Sequence, residues 1–113
     1  MIKLRHLTLA GLAAWSISPA FAACEYPQEV GIPDGSKASE EEMIAGQKLV
    51  KSYIANVEAY LKCLDEEATA LGDAETDDQK QMHIKRHNAA VDAMEQLAAS
   101  FNKEIQAFKA RPE

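Results

Sequence analysis

The sequence of 113 residues is short of basic side chains, with 12 Lys and Arg against 18 Asp and Glu and a formal net charge of −6. This deficit disfavours nucleic acid or an anionic membrane surface as the partner, because both attract basic proteins. The sequence also lacks a recognisable context for a catalytic serine, cysteine or lysine. Its many paired carboxylates are typical of solvated helix surfaces. We therefore predict that the protein is not an enzyme and uses no cofactor.

Beyond its N-terminus the chain lacks a hydrophobic run long enough to span a membrane. The N-terminus itself combines Lys3 and Arg5, an apolar stretch and the small-residue sequence Ala20-Phe21-Ala22, which together are typical of a secretory signal peptide. That stretch is too short to remain as a membrane-spanning helix. We predict a signal peptide over 1–22 and export to the periplasm, or further to the medium. Cleavage leaves 91 of the 113 residues, which is enough for one domain with a modest core.

Cysteine is scarce, with two in the whole sequence, Cys24 and Cys63. An even number of cysteines in a small exported domain usually forms disulfides, so we predict a Cys24–Cys63 bond. The alternative is a lipid anchor on Cys24, because Phe21-Ala22-Ala23-Cys24 is an imperfect version of the sequence cut before a lipidated cysteine. Such sites usually have Leu in place of Phe21, and lipidation would leave Cys63 unpaired. The sequence therefore favours the disulfide.

Two long amphipathic helices are predicted after residue 39. Ser39 with Glu42, and Thr76 with Gln79, form capping boxes that begin helices over about 40–71 and 77–109. Gly72 is a plausible end for the first helix. Because the connection is short, the helices must be antiparallel neighbours, which makes residues 39–113 an all-α helical hairpin.

The spacing of apolar residues predicts which faces of the two helices meet. In both helices these residues alternate at intervals of three and four, which is typical of a seam between helices. The register places Val50 beside Phe101 and Val57 beside Met94. The predicted seam of the second helix consists of Ile84, His87, Val91, Met94, Ala98, Phe101, Ile105 and Phe108.

Residues 23–38 are predicted to form a non-helical arm, because this segment contains two Pro and two Gly residues and Pro33-Asp34-Gly35 has the chemistry of a turn. Cys63 lies about 36 Å along the first helix from Ser39. The arm reaches at most about 50 Å. The disulfide therefore requires the arm to lie almost straight along the hairpin, stapled to the first helix.

The first helix has more apolar surface than one partner helix would cover. Leu49, Tyr53 and Tyr60 widen its stripe on the side of Cys63. We expect the arm to lie over this side. The same three residues are the candidate interaction surface for another protein or for a second copy of the chain in a homodimer, because two helices and an arm bury little apolar area.

Metal binding is a weaker possibility. His83 and His87 are spaced four apart on the second helix and could bind one ion with a donor from the facing helix. No fixed ligand motif accompanies them, so ordinary packing and surface roles are favoured. The acidic residues between 73 and 78 resemble the start of a calcium loop. Asp78 stands where that loop needs Gly, however, and Ile84 where it needs Glu.

Four short segments together resemble a group of small secreted proteins from Gram-negative bacteria: Ala23-Cys24, Ile32-Pro33-Asp34-Gly35, Glu41-Glu42-Met43 and Tyr60-Leu61-Lys62-Cys63-Leu64. The resemblance covers about the first half of the mature chain. That family has no assigned activity, so the resemblance implies export and paired cysteines and contributes no catalytic residue.

The function expected from the sequence is that of an exported, non-enzymatic helical protein, a protein-binding or structural module of the cell envelope. One alternative is a periplasmic metal-binding protein that uses His83 and His87. Another is a chaperone-like adaptor for envelope proteins, which would keep an exposed apolar patch.

Overall fold

The computed structural model describes residues 24–112, together with the isolated Gly11. The rest of the predicted signal peptide, Ala23 and Glu113 lie outside the described residues. The element order is helix α1 (Glu40–Leu71), a 3-10 turn (Gly72–Ala74) and helix α2 (Asp77–Lys109). No strand occurs among the residues described. The predicted all-α hairpin is confirmed, and both helices have the predicted bounds.

Both helices begin at reciprocal caps. The Glu42 N–H donates to Ser39 Oγ at 3.1 Å, and the Ser39 N–H donates to Glu42 Oε2 at 3.3 Å. Thr76 and Gln79 form the same pair of hydrogen bonds at 3.1 and 2.9 Å. Each cap satisfies N–H groups that the first turn of a helix leaves without partners. Gly72, at φ +50°, ends α1 in a conformation that favours glycine.

The buried residues form two clusters along the hairpin. The central cluster consists of Tyr53, Val57, Tyr60, Leu64 and Ala90, with Met94 packed against it. The open-end cluster, where α1 begins and α2 ends, consists of Ala38, Met43, Val50 and Phe101. Val50 shares a cluster with Phe101, and Val57 with Met94, as predicted for this part of the hairpin. The register also predicted Leu64 beside Ile84 and His87, and that part is wrong, because both of these residues are exposed.

The predicted seam is wrong near the connection between the helices. Ile84 is 60% exposed and His87 is also exposed, whereas Ala90 is fully buried. His83 is partly buried at this end of the helix. The inward face of α2 therefore passes through His83 and Ala90 here, one residue before the predicted Ile84 and Val91. Neither helix of the described chain is both long and apolar enough to cross a lipid bilayer.

The arm lies along the hairpin as a third element. It starts at Cys24 beside Cys63 and ends at the cap of α1, so it runs antiparallel to that helix. The Tyr26 ring packs edge-on against Tyr60, with ring centroids 5.3 Å apart. Val30 packs on the central cluster and Ile32 on the open-end cluster. The prediction of an extended arm stapled to α1 is confirmed.

Candidate functional site

The N-terminal end of the arm is joined to α1 by the two cysteines. The Cys24 and Cys63 sulfurs lie at disulfide distance, with their Cα atoms 5.7 Å apart and a sequence separation of 39. The predicted pairing is thereby confirmed in the structure. A disulfided Cys24 has no free thiol to carry a lipid, which agrees with the preference for the disulfide over an anchor.

The end of the arm that leads into α1 is held by Glu104 of α2 and by Arg111, which follows α2. The Gly35 N–H donates to Glu104 Oε2 at 2.6 Å. The Arg111 guanidinium donates to the carbonyl oxygens of Ala38 and Gly35 and lies over the Phe108 ring, 5.0 Å from its centroid. The arm is therefore fixed at both ends, by a covalent bond at one and by hydrogen bonds at the other.

A tight turn shapes the arm where it meets α2. Ser36 donates two hydrogen bonds to Asp34 Oδ1, from its hydroxyl at 2.6 Å and from its N–H at 3.0 Å. These bonds, the hydroxyl first, hold the pKa of Asp34 below its usual value. The turn chemistry of Pro33-Asp34-Gly35 was predicted. The roles of Glu104 and Arg111 were not, because nothing in their neighbourhood indicates that they bind the backbone of a distant segment.

The predicted interaction surface is divided by the arm. Tyr53 and Tyr60 are buried under the arm, whereas Leu49 is 47% exposed. The assignment of all three residues to a free binding surface is thus corrected, because the chain itself covers the two tyrosines. Burial also raises the pKa of Tyr53, with smaller contributions from the Tyr26 hydroxyl and the Glu29 carboxylate.

A groove remains open between the outer edge of the arm and α1. Leu49 lines it, and so does Tyr26, which is also 47% exposed. The remaining lining residues are Glu25, Pro27, Gln28, Glu29, Val30, Ser52, Asn56, Ala59, Tyr60 and Cys63. We call this the arm groove. It combines apolar and polar side chains of α1 with acidic residues from the arm.

The two candidate metal-binding histidines have different surroundings. His83 lies between two carboxylates, with Nδ1 2.6 Å from Glu75 Oε1 and Nε2 3.7 Å from Glu67 Oε2. His87 is exposed and shares a shallow depression with His83 and Asp65. Across residues 24–112, the group of three potential metal donors found close together is Cys24, Cys63 and Glu67. The structure therefore does not join His83 and His87 to a third donor.

Comparisons with known proteins add no family assignment. No protein-family model matches the chain, and neither the curated proteins nor the solved structures include a significant match. The functional argument therefore depends on the residues and their geometry.

Proposed function

We propose that this chain is an exported, non-enzymatic module of the cell envelope that binds another protein through the arm groove. The pairing of Cys24 with Cys63 supports export, because disulfides persist in oxidising compartments. The N-terminal sequence supports secretion through a cleaved signal peptide.

The observation that carries the binding proposal is the exposure of Leu49 and Tyr26 in one groove. Both side chains are 47% exposed, and both line the same depression. Large apolar and aromatic side chains in a concave surface are typical anchors of protein interfaces. Here the disulfide fixes the wall that carries Tyr26, so the groove is formed before a partner arrives and less entropy is lost on binding.

The charge of the groove defines the kind of partner. Glu25 and Glu29 of the arm line the same groove as Leu49, and the chain as a whole is acidic. We therefore expect a partner that inserts an apolar side chain beside Leu49 and presents Lys or Arg to the two glutamates. A partner of this kind suits the adaptor role as well as a structural one.

Photo-crosslinking in the producing cell tests the proposal. A photoreactive amino acid replaces Leu49 in one strain and Lys62 in another. Lys62 is a matched control, because its side chain is 79% exposed and helical periodicity places it on the opposite side of α1 from Leu49. We expect one discrete protein adduct from position 49 and none from position 62. Equal labelling at the two positions would contradict a binding role for the groove.

Sedimentation of the purified mature protein separates the two kinds of partner. If the groove binds a second copy of the chain, the mass should double with concentration in the wild type and stay monomeric in Leu49→Asp. A wild type that remains monomeric, together with a position-49 adduct to a different protein, identifies a heterologous partner. A monomer that also gives no adduct would refute the proposal.

Intact mass spectrometry of the exported protein tests its processing. We expect a chain that begins at Ala23, carries no acyl group and gains two hydrogens on reduction. A mass that retains residues 1–22 would contradict export by this route, and an acyl mass on Cys24 would restore the lipid-anchor alternative.

A further inference from the structure

The arm is attached to the helices in two different ways along its length. Gly35 and Ala38 are buried, and side chains in and just after α2 bind the backbone of both. From residue 24 to residue 34, in contrast, no residue is buried. No backbone hydrogen bond of the described chain joins this part of the arm to either helix. We call residues 24–32 the latch segment.

Apart from the disulfide, the latch segment is held by side-chain packing. The Tyr26 ring packs on Tyr60 but is 47% exposed, and the partly buried Val30 and Ile32 each pack against a buried cluster. Every ordered residue costs backbone and side-chain entropy, and these few contacts must offset that cost for the whole segment. Segments with so few buried contacts open at a lower free energy than the core. The Cys24–Cys63 bond is therefore the main attachment of the latch segment.

The disulfide lies where a thiol can reach it. Cys63 lines the open arm groove, and both cysteines are partly and not fully buried. One thiolate of a dithiol reductant attacks a sulfur of the bond, forms a mixed disulfide and displaces the other cysteine, which takes up a proton. The second thiol of the reductant then displaces the first cysteine. The chain gains two electrons and two protons as two thiols, and the reductant becomes a disulfide.

Loss of this attachment changes the surface of α1. Tyr53 and Tyr60 are only 4% and 7% exposed while the arm covers them. A released latch segment uncovers both rings and removes the wall of the arm groove that carries Tyr26. The two helices keep the seam that contains Val57 and Leu64, which are fully buried, so the hairpin stays folded.

We propose that the Cys24–Cys63 disulfide is a redox latch. A dithiol opens it, which releases residues 24–32 from α1 and uncovers Tyr53 and Tyr60, while the turn at Gly35 stays attached to α2. That turn keeps Cys24 within reach of Cys63, so a disulfide oxidant, which takes back two electrons and two protons, closes the latch again. The release depends on contacts within the chain and not on the protein-binding role proposed above.

Relaxation of the ¹⁵N-labelled full mature chain, measured by nuclear magnetic resonance before and after addition of a dithiol, tests the latch. We expect the backbone order parameters of the latch segment to fall from about 0.85 to below about 0.6 on reduction. Those of residues 35–38 and of both helices should stay the same, and helical circular dichroism should be retained. Equal order parameters of the latch segment in the two states would overturn the proposal. So would a reduced chain that loses its helical circular dichroism.

Tyrosine fluorescence measures the uncovering of α1 independently. The single tryptophan, Trp15, lies in the predicted signal peptide, so the fluorescence of the mature chain comes from Tyr26, Tyr53 and Tyr60. All three lie at the arm. Acrylamide should quench this fluorescence with a larger quenching constant after reduction, because Tyr53 and Tyr60 become accessible. An unchanged quenching constant would contradict the release.

Variants separate the two attachments of the arm. Cys24→Ser/Cys63→Ser should show a released latch segment with and without reductant, which controls for effects of the reductant elsewhere. In reduced Arg111→Ala, which lacks the guanidinium that binds the turn, the mobile region should extend through residue 38. Lys109→Ala, which changes an exposed basic residue nearby, is the matched control and should behave like the wild type. A reduced wild type that is already mobile through residue 38 would refute the independent attachment at the turn, and with it the latch.

Discussion

The backbone N–H of Gly35 donates a hydrogen bond to the Glu104 carboxylate, 69 positions later in the chain, at 2.6 Å. The contact is close enough that a Cβ on Gly35 would overlap the main-chain carbonyl of Glu104. Glycine is therefore required for the turn of the arm to reach the backbone of α2. This contact gives the arm an attachment that is separate from the disulfide.

Gly35→Ala should force the turn away from α2. The added Cβ meets backbone, which cannot rotate away as a side chain can, so we expect a loss of about 1–3 kcal/mol in the free energy of unfolding. Urea denaturation of the oxidised protein measures it. Gly31→Ala is the control, because its Cβ would meet nothing within 4 Å. A Gly35→Ala variant as stable as Gly31→Ala would show that the close contact is not needed.

The effect of Gly46→Ala should depend on the residue at position 33. In the interior of a helix this substitution gains about 1 kcal/mol from helix propensity. Here the new Cβ would lie 2.5 Å from Pro33 Cδ, 2.8 Å from Pro33 Cγ and 3.3 Å from Phe101 Cε2. We therefore expect Gly46→Ala to destabilise the wild type, and to be much less destabilising in a Pro33→Ala protein, which lacks the two ring atoms but keeps the Phe101 contact.

A double-mutant cycle measured by urea unfolding separates the two effects. The coupling energy between positions 33 and 46 measures how much the Pro33 ring opposes a Cβ at position 46. The same effect of Gly46→Ala in both backgrounds would mean that the arm does not press on α1 at this point.

The ends of the helices were predictable because their causes are local. Ser39 with Glu42, and Thr76 with Gln79, satisfy each other's backbone groups within one turn, and the structure contains all four hydrogen bonds. A cap involves neighbours in sequence, so the sequence shows both partners side by side. The packing of α2 involves residues of α1, and there the prediction was less accurate.

The error at Ile84 has a physical cause. Spacing by three and four continues from Val91 back to Ile84, but a second row one residue earlier passes through Ala90. Ala90 is fully buried, and a pattern of large apolar residues does not reveal a small side chain at a helix contact. His83 then turns inward between Glu67 and Glu75, and Ile84 is left at the surface.

The candidate sites were predictable only in part, for a related reason. The pairing of Cys24 with Cys63 followed from compartment and cysteine number, and the excess apolar width of α1 indicated that Tyr53 and Tyr60 needed a cover. The arm groove and the approach of His83 to Glu67 depend on how three separate segments meet. Sequence spacing within one helix carries no information about such a meeting.

Replacing both cysteines should cost a large part of the stability. In the chain-entropy model, a crosslink across the 39-residue separation of Cys24 and Cys63 stabilises the folded chain by about 4 kcal/mol. We expect urea unfolding of Cys24→Ser/Cys63→Ser to show a loss near this value. Reductant should lower the stability of the wild type by the same amount and leave the double variant unchanged. A loss below about 1 kcal/mol would mean that the disulfide restricts the unfolded chain much less than this model requires.

Tyr53 should make the fold sensitive to alkaline pH. Burial raises the pKa of its hydroxyl in the folded chain, aided by the Tyr26 hydroxyl and the Glu29 carboxylate. An ionised Tyr53 is therefore tolerated better in the unfolded chain, where the pKa is about 10. The contribution of the neutral Tyr53 hydroxyl to stability is fully present below the pKa of the unfolded chain. This contribution is lost as the pH rises from the unfolded pKa through the folded pKa. We expect Tyr53→Phe to reduce the fall in unfolding free energy between pH 9 and about pH 11, measured by urea denaturation at each pH. Parallel curves of unfolding free energy against pH for the two proteins would exclude Tyr53 as the source of the alkaline sensitivity. A general change in packing shifts such a curve without altering its slope.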